Sequence, residues 1–253
     1  MKGFSLVLVI AAGWAHAAVA QSPAPRSISE QYLFSLANAE RTGRGLPPLR
    51  WDSGLYAAAQ GHAREMAARA SISHQYPGEP ELADRGRASG VRFSVISENV
   101  AEAPTAVRIH DAWMNSPGHR ANLLDPQVDS IGISVLRRDG QLYAVQDFAR
   151  SVANLSFEDQ ERTVASLVAA AAPVRLLPSS DDSRRTCSME TGYAGSRQPW
   201  FVMRYTAGDL TALPDALRSK LATGKYHEAA VGACSPRGTQ PFSSFNIAVL
   251  LYP

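Results

Sequence analysis

Ile131-Gly132-Ile133-Ser134-Val135-Leu136-Arg137-Arg138-Asp139-Gly140-Gln141-Leu142-Tyr143-Ala144-Val145-Gln146-Asp147-Phe148-Ala149 reads as a β-hairpin. Ile131, Ile133 and Val135 alternate with smaller or polar residues, Asp139-Gly140 supplies the two positive φ values of a type I′ turn, and Leu142 to Ala149 returns as the second strand. The chain before it runs at a different period. Leu55, Ala58, Ala59, His62, Ala63 and Met66 recur at helical spacing after Asp52 or Ser53 as cap, a smooth Ala-rich ridge expected to pack inward. Helices followed by a short antiparallel sheet predict an α+β domain.

Working outward, a first helix is expected from about Ser29, with Leu33, Leu36, Ala37 and Glu40 on one stripe, ending at Gly43 and Gly45. Pro47-Pro48 sets an extended connector. A short helix follows across Glu81 to Ser89, then an extended piece containing Ser97 to Ala101. Pro104 is expected to open a helix buried along Ala106, Ile109 and Trp113, with Ser116-Pro117-Gly118 ending it so that His119 and Asn122 begin a new turn. Beyond Asn154 a second unit is expected. Ser156 with Asp159 resembles a capping box ahead of Val164, Leu167, Val168 and Ala171, and Pro173 breaks that helix. Strands follow near Trp200 to Thr206, Tyr226 to Ala233 and Ser244 to Leu251, with a helix near Pro214 to Ala222. No internal repeat is visible in the sequence.

The N-terminus has the layout of an export signal: Lys2, an apolar run from Phe4 to Ala12, and the small-residue site Ala18-Val19-Ala20. The expected division is signal peptide 1–20 with cleavage after Ala20, flexible lead-in 21–28, first domain 29–150, and C-terminal α+β domain 154–253. The destination is then periplasm, surface or medium, and no later stretch approaches the roughly 20 apolar residues of a transmembrane helix. The 253 residues carry 25 Lys and Arg against 23 Asp and Glu. Such balance, with only Arg137-Arg138 and Arg184-Arg185 paired, speaks against a nucleic-acid partner. Cys187 and Cys234, in an oxidising compartment, are expected to form one disulfide, worth about 4 kcal/mol of chain entropy.

The chemistry-bearing residues cluster in Ser73-His74, Ser97-Glu98-Asn99-Val100 and Trp113 to Leu124. Two imidazoles, His74 and His119, and one carboxylate, Glu98, can hold a divalent metal such as zinc or pass protons. The same three can also form a hydrogen-bonded network that only fixes the walls of a cleft. Glu98 either ligates directly, orients an imidazole from behind, or serves as the base of a metal-dependent hydrolase. Ser116, Asn122 and Asn99 are the accompanying polar residues. Ser116 as a nucleophile competes with the plainer reading of Ser-Pro-Gly as a helix stop. G-x-S-x-G, H-E-x-x-H, P-loop and G-x-G-x-x-G motifs are all missing. His62 reads as a core histidine, His110 as a packing or solvent residue, and His227 as a strand-edge residue. Asn154-Leu155-Ser156 fits a glycosylation acceptor and equally a helix start. Tyr193, Trp200, Phe201, Tyr205 and Tyr226 read as strand core or, alternatively, as an aromatic contact surface.

Segment 33–149 resembles the CAP superfamily, the cysteine-rich secretory proteins, antigen 5 and plant pathogenesis-related class 1 proteins, in a bacterial cysteine-free form. The matching pieces are Asn38-Ala39-Glu40-Arg41, Leu46 to Leu49 with Trp51-Asp52, Ala63 to Met66, Ser73-His74, Glu98-Asn99-Val100, Trp113 to Leu124 and Ile131-Gly132. The resemblance implies an α-β-α sandwich whose cleft carries two His and two Glu able to bind zinc or another divalent cation. His74, Glu98 and His119 match three of these, Ser97 replaces the usual Gly before Glu98, and the second cleft Glu is expected to be absent, Ser116 standing three residues past Trp113. It also implies an exported binding or interaction protein, with a cell-envelope scaffold or lipid binder lacking metal as the alternative and an unknown protein, lipid or envelope ligand as partner.

Overall fold

The computed structural model describes residues 27–235 and 243–253. The expected signal segment and most of the lead-in lie outside the described residues. Helix α1 (Ile28–Thr42) starts one residue earlier than read from sequence, because Ser27 and Glu30 close a reciprocal capping box. Then come β1 (Arg50–Trp51), α2 (Ser53–Arg69), α3 (Leu82–Ala88), β2 (Phe93–Ala103), α4 (Ala106–Asn115), α5 (Pro117–Leu123), β3 (Ser130–Arg138) and β4 (Gln141–Ser151). The strand order is β1-β3-β4-β2, with β1 parallel to β3 and the other pairs antiparallel. Asp139 and Gly140 both take positive φ, as the type I′ turn requires.

Two expectations around α4 need correction. Pro104 lies outside the helix. Thr105 is the cap, its side chain accepting from the Arg108 N–H, and α4 starts at Ala106. Ser116-Pro117-Gly118 does more than stop α4: Ser116 is the junction and Pro117 the first residue of α5, a position where its missing N–H costs nothing. His119 is therefore held inside a helix.

The sheet is covered on both faces. One side packs Leu33 and Ala37 of α1, Ile109 and Trp113 of α4 and Leu123 of α5 against Ile131, Ile133 and Phe148. On the other, Ala59, Ala63 and Met66 of α2 meet Val100, Tyr143 and Val145. The Ala-rich ridge does what its pattern suggested, and Gly132 lets it come closest: a Cβ there would lie 2.1 Å from the Tyr56 nitrogen. Arg41, fully buried, explains the Asn38–Arg41 motif. Its guanidinium donates to the carbonyls of Pro47 (2.9 Å), Leu123 (3.0 Å), Asp125 (2.8 Å) and Val128 (3.3 Å), clasping α1 to the chain that leaves α5.

The remaining elements are α6 (Phe157–Ala171), β5 (Arg175–Leu176), α7 (Asp181–Ser188), β6 (Phe201–Ala207), α8 (Asp215–Leu221), β7 (Glu228–Cys234) and β8 (Phe245–Tyr252). They form a second four-stranded sheet, β5-β7-β8-β6, with its own apolar core. Ser156 caps α6, but Asp159 turns to the Ser156 hydroxyl (2.8 Å) instead of completing a capping box. Strands β6, β7 and β8 and helix α8 fall within two residues of their expected limits. Helix α7 and the two-residue strands β1 and β5 carry too little periodicity to be read from sequence. Cys187 and Cys234 are disulfide-bonded, joining α7 to β7. Phe201, Tyr205 and Tyr226 pack on the core while Trp200 remains 63% exposed. No helix among the described residues is long and apolar enough to cross a membrane.

Replacing Gly132 by Ala forces α2 off β3 and is expected to cost about 3 kcal/mol, read as a lowered urea midpoint. An unchanged midpoint would contradict the direct contact of helix backbone with strand.

Candidate functional site

The cleft lies at β2, the edge of the first sheet, where Glu98 sits between residues of both helical layers. Asn99 and Asn122 set that junction. The buried Asn99 amide donates to the His119 carbonyl (3.0 Å) and to Gln146 Oε1 (3.2 Å), and its oxygen accepts from Asn122 Nδ2 (3.0 Å). Asn122 also donates to the Glu98 carbonyl (3.1 Å). These bonds fix α5, and His119 with it, against the strand that carries Glu98. Ser116 does not take part; it serves as the turn between α4 and α5.

His74 reaches the site from the loop after α2. Its Nδ1 lies 2.9 Å from Glu98 Oε1, and its ring stands 6.4 Å from that of His119. The side chain of His74 is 61% exposed, that of Glu98 3%. The two imidazoles differ electrostatically. The hydrogen bond to Glu98 raises the pKa of His74 above its ordinary value, whereas burial and then the neighbouring His74 lower that of His119.

Behind Glu98 lies a cluster that the three short motifs did not reveal. Arg85 of α3 donates from Nη2 to Glu98 Oε2, and its Nη1 approaches Glu79 Oε1 at 3.7 Å. His62, the expected core histidine, is buried, but its ring lies between Glu79 Oε1 (2.6 Å at Nδ1) and the Ser73 carbonyl (2.7 Å at Nε2). Both neighbours are oxygens, so the ring is held from both sides. Glu79 therefore supplies a second carboxylate near the cleft, where only one was expected. Its oxygens meet His62 and the Tyr76 N–H (3.1 Å). The last member is Asp147, opposite Glu98 in the β2–β4 register. It is completely buried, and neither oxygen receives a hydrogen bond from an N–H or hydroxyl among the described residues.

Charge decides the state of Asp147. Arg85 already faces both Glu79 and Glu98, which leaves it no free capacity for a third carboxylate in a dry site. Burial first, and Glu98 second, push the Asp147 carboxyl well above the usual carboxylate range, and the neutral acid can donate to Glu98. His110, expected to be a packing or solvent residue, is buried with Nε2 3.5 Å from Glu40 Oε1, remote from this cluster in sequence and on a different element.

The donor geometry bears on a metal. Both Glu98 oxygens are already engaged, by Arg85 and by His74, and no three His, Cys, Asp or Glu side chains among the described residues form a group arranged to hold an ion. A three-ligand set including Glu98 does not fit. Sequence reasoning missed Arg85, Glu79 and Asp147 because each lies outside the recognised motifs; the one available signal was Asp147, an acidic residue on the inward face of a strand otherwise reading as core.

Asp147 generates a pH prediction. Its raised folded pKa means the native state keeps a proton that the unfolded chain gives up above about pH 4, so this residue destabilises the fold as pH rises through and beyond that point. Asp147→Asn keeps a donor toward Glu98 and has no proton to lose. It is expected to raise the urea midpoint at about pH 7.5, by about 1–3 kcal/mol, and to match the parent near pH 3. A lower midpoint at about pH 7.5 would show an ionised Asp147.

Residues 34–148 match the sequence profile of CAP, the cysteine-rich secretory protein family. An uncharacterized protein, YkwD, of Bacillus subtilis (strain 168) is 33% identical over 126 residues, covering 49% of this chain and 49% of that protein. An uncharacterized membrane protein of the same organism, YlbC, is 32% identical over 129 residues, 49% of this chain and 35% of its own. The chain thus spans about half the length, or less, of the curated relatives it matches. Among solved structures, an extracellular protein containing a SCP domain from Bacillus anthracis is 30% identical with a TM-score of 0.46, covering 51% of this chain and 45% of that one. An outer surface protein of Borrelia burgdorferi is 25% identical, also at 0.46, covering 49% and 92% respectively. Residues 34–148 of this chain belong to the CAP, cysteine-rich secretory protein, family.

Proposed function

We propose that the chain is an exported binding protein whose CAP cleft seats a divalent cation, such as zinc, on the imidazoles of His74 and His119, with Glu98 acting from behind. The observation that carries this reading is the 2.9 Å contact between His74 Nδ1 and Glu98 Oε1. A carboxylate that accepts the Nδ1 proton fixes the tautomer and leaves Nε2 free as a donor atom toward the cleft, the usual relation of an outer carboxylate to a metal-binding histidine. His119 supports it from the other side, since its lowered pKa keeps that ring neutral at physiological pH, the form a metal needs. Both rings reach solvent, and their centroids lie 6.4 Å apart. Two protein ligands leave the remaining coordination positions to solvent or to a ligand's own donor groups.

Export is part of the proposal. It rests on the layout of residues 1–20 in the sequence and on the Cys187–Cys234 disulfide, which persists in oxidising surroundings. Glu98 as a hydrolytic base fits less well, because Arg85 and His74 already engage both of its oxygens.

Zinc titration by calorimetry tests the assignment. His74→Ala and His119→Ala are each expected to weaken binding at least about 100-fold, and Glu98→Gln, which keeps an acceptor behind His74, about 10-fold. Unchanged affinity in both histidine variants would remove the metal seat, and complete loss in Glu98→Gln alone would make Glu98 a direct ligand.

A further inference from the structure

The two sheets have the same wiring. In β1-β3-β4-β2 and in β5-β7-β8-β6 a two-residue edge strand runs parallel to the third-formed strand of its unit, which pairs antiparallel with the last, which pairs antiparallel with the second-formed. The helices follow suit: α1 and α4 cover one face of the first sheet and α2 the other, as α6 and α8 cover one face of the second and α7 the other. We infer that residues 157–252 are a second copy of the sandwich formed by residues 28–151, pruned of its cleft.

The correspondence reaches single residues. Gly132 of β3 lies against Leu55 and Tyr56, the third and fourth residues after the α2 cap Asp52. Gly232 of β7 lies against Ser183 and Arg184, the third and fourth residues after the α7 cap Ser180, and a Cβ there would meet the Ser183 carbonyl oxygen at 2.1 Å. Two separate sheets thus require a glycine at one equivalent point, for the same close approach of helix backbone.

With these glycines superposed, the registers carry Glu98 and Asp147 onto Arg204 and Ala248, and Asn99 and Gln146 onto Tyr205 and Ile247. Each polar group that builds the first cleft is replaced by one that cannot do its work. Arg204 donates instead to the carbonyls of Thr186 (2.7 Å) and Gly192, tying down the end of α7. The helices without counterparts are α3 and α5, which carry Arg85 and His119. Among the described residues, the second unit thus keeps the frame without the polar groups of the first cleft. The same superposition places Cys187, seven residues after its cap, on Ala59, and Cys234, two residues after its glycine, on Ser134. Helix α7 has 8 residues where α2 has 17, so the disulfide holds to its sheet a helix that lacks half the length to do so by packing.

Divergence explains why the sequence shows no repeat: the shared features are a strand order, a glycine and a helix position.

The equivalence is tested in the full chain by Ala59→Cys with Ser134→Cys, both positions being fully buried. Peptide mapping after air oxidation is expected to find a 59–134 disulfide beside the native 187–234, with a higher Tm, while Ala58→Cys with Ser134→Cys leaves its two thiols free. Free thiols at 59 and 134, or equal bonding from position 58, would overturn the inference. Should the double variant fail to fold, Gly232→Ala decides: the inference requires a lowered unfolding midpoint comparable to that of Gly132→Ala, and an unchanged midpoint contradicts it.

Discussion

The buried carboxylate of Glu98 is the constraint around which the first sandwich is arranged. A charge this deep must be compensated, and the chain meets the requirement from three elements at once: Arg85 from α3, His62 from α2 and His74 from the loop between them. Because each compensating group reaches in from a different segment, satisfying the charge also fixes the segments. The loop holding His74 gains a defined position although its imidazole is largely exposed, and the Arg85 guanidinium adds to the packing of Ala83 and Gly86 that holds α3 on the sheet. Glu79 joins for the same reason, as the partner that His62 needs on its second nitrogen.

Seen this way, the cleft has an interior and a face. The interior holds Arg85, His62, Glu79 and Asp147, whose side chains are buried or nearly so. The face holds His74 and His119, one raised in pKa by the buried carboxylate and the other lowered by burial. Glu98 connects them, carrying the state of the interior to the orientation of one surface ring. The Asn99–Asn122 pair supplies the mechanical counterpart, since it anchors α5, which carries His119, to the strand bearing Glu98.

Much of this fold was legible in the chain because its signals are local. The alternation in 131–149, the Asp139-Gly140 turn and the Ala-rich period of α2 each name an element without reference to the rest. The three site residues were legible because they sit in recognisable short motifs. Arg85, Glu79 and Asp147 were not, because what brings them into the cluster is which charges they meet, and those meetings join β2 to α3, to α2 and to β4. Helix α7 was missed for a related reason: an eight-residue helix fastened by a disulfide and a glycine contact needs little amphipathic pattern. The likeness of the two sandwiches is the extreme case, as topology survives where nearly all side chains differ.

The measurement that bears most directly on this account is the tautomer of His74, read from long-range ¹⁵N–¹H correlations of its imidazole at a pH above its pKa. The account predicts a proton on Nδ1, shared with Glu98, and a bare Nε2, with that preference lost in Glu98→Ala. A ring protonated at Nε2, or a tautomer indifferent to the loss of Glu98, would contradict it.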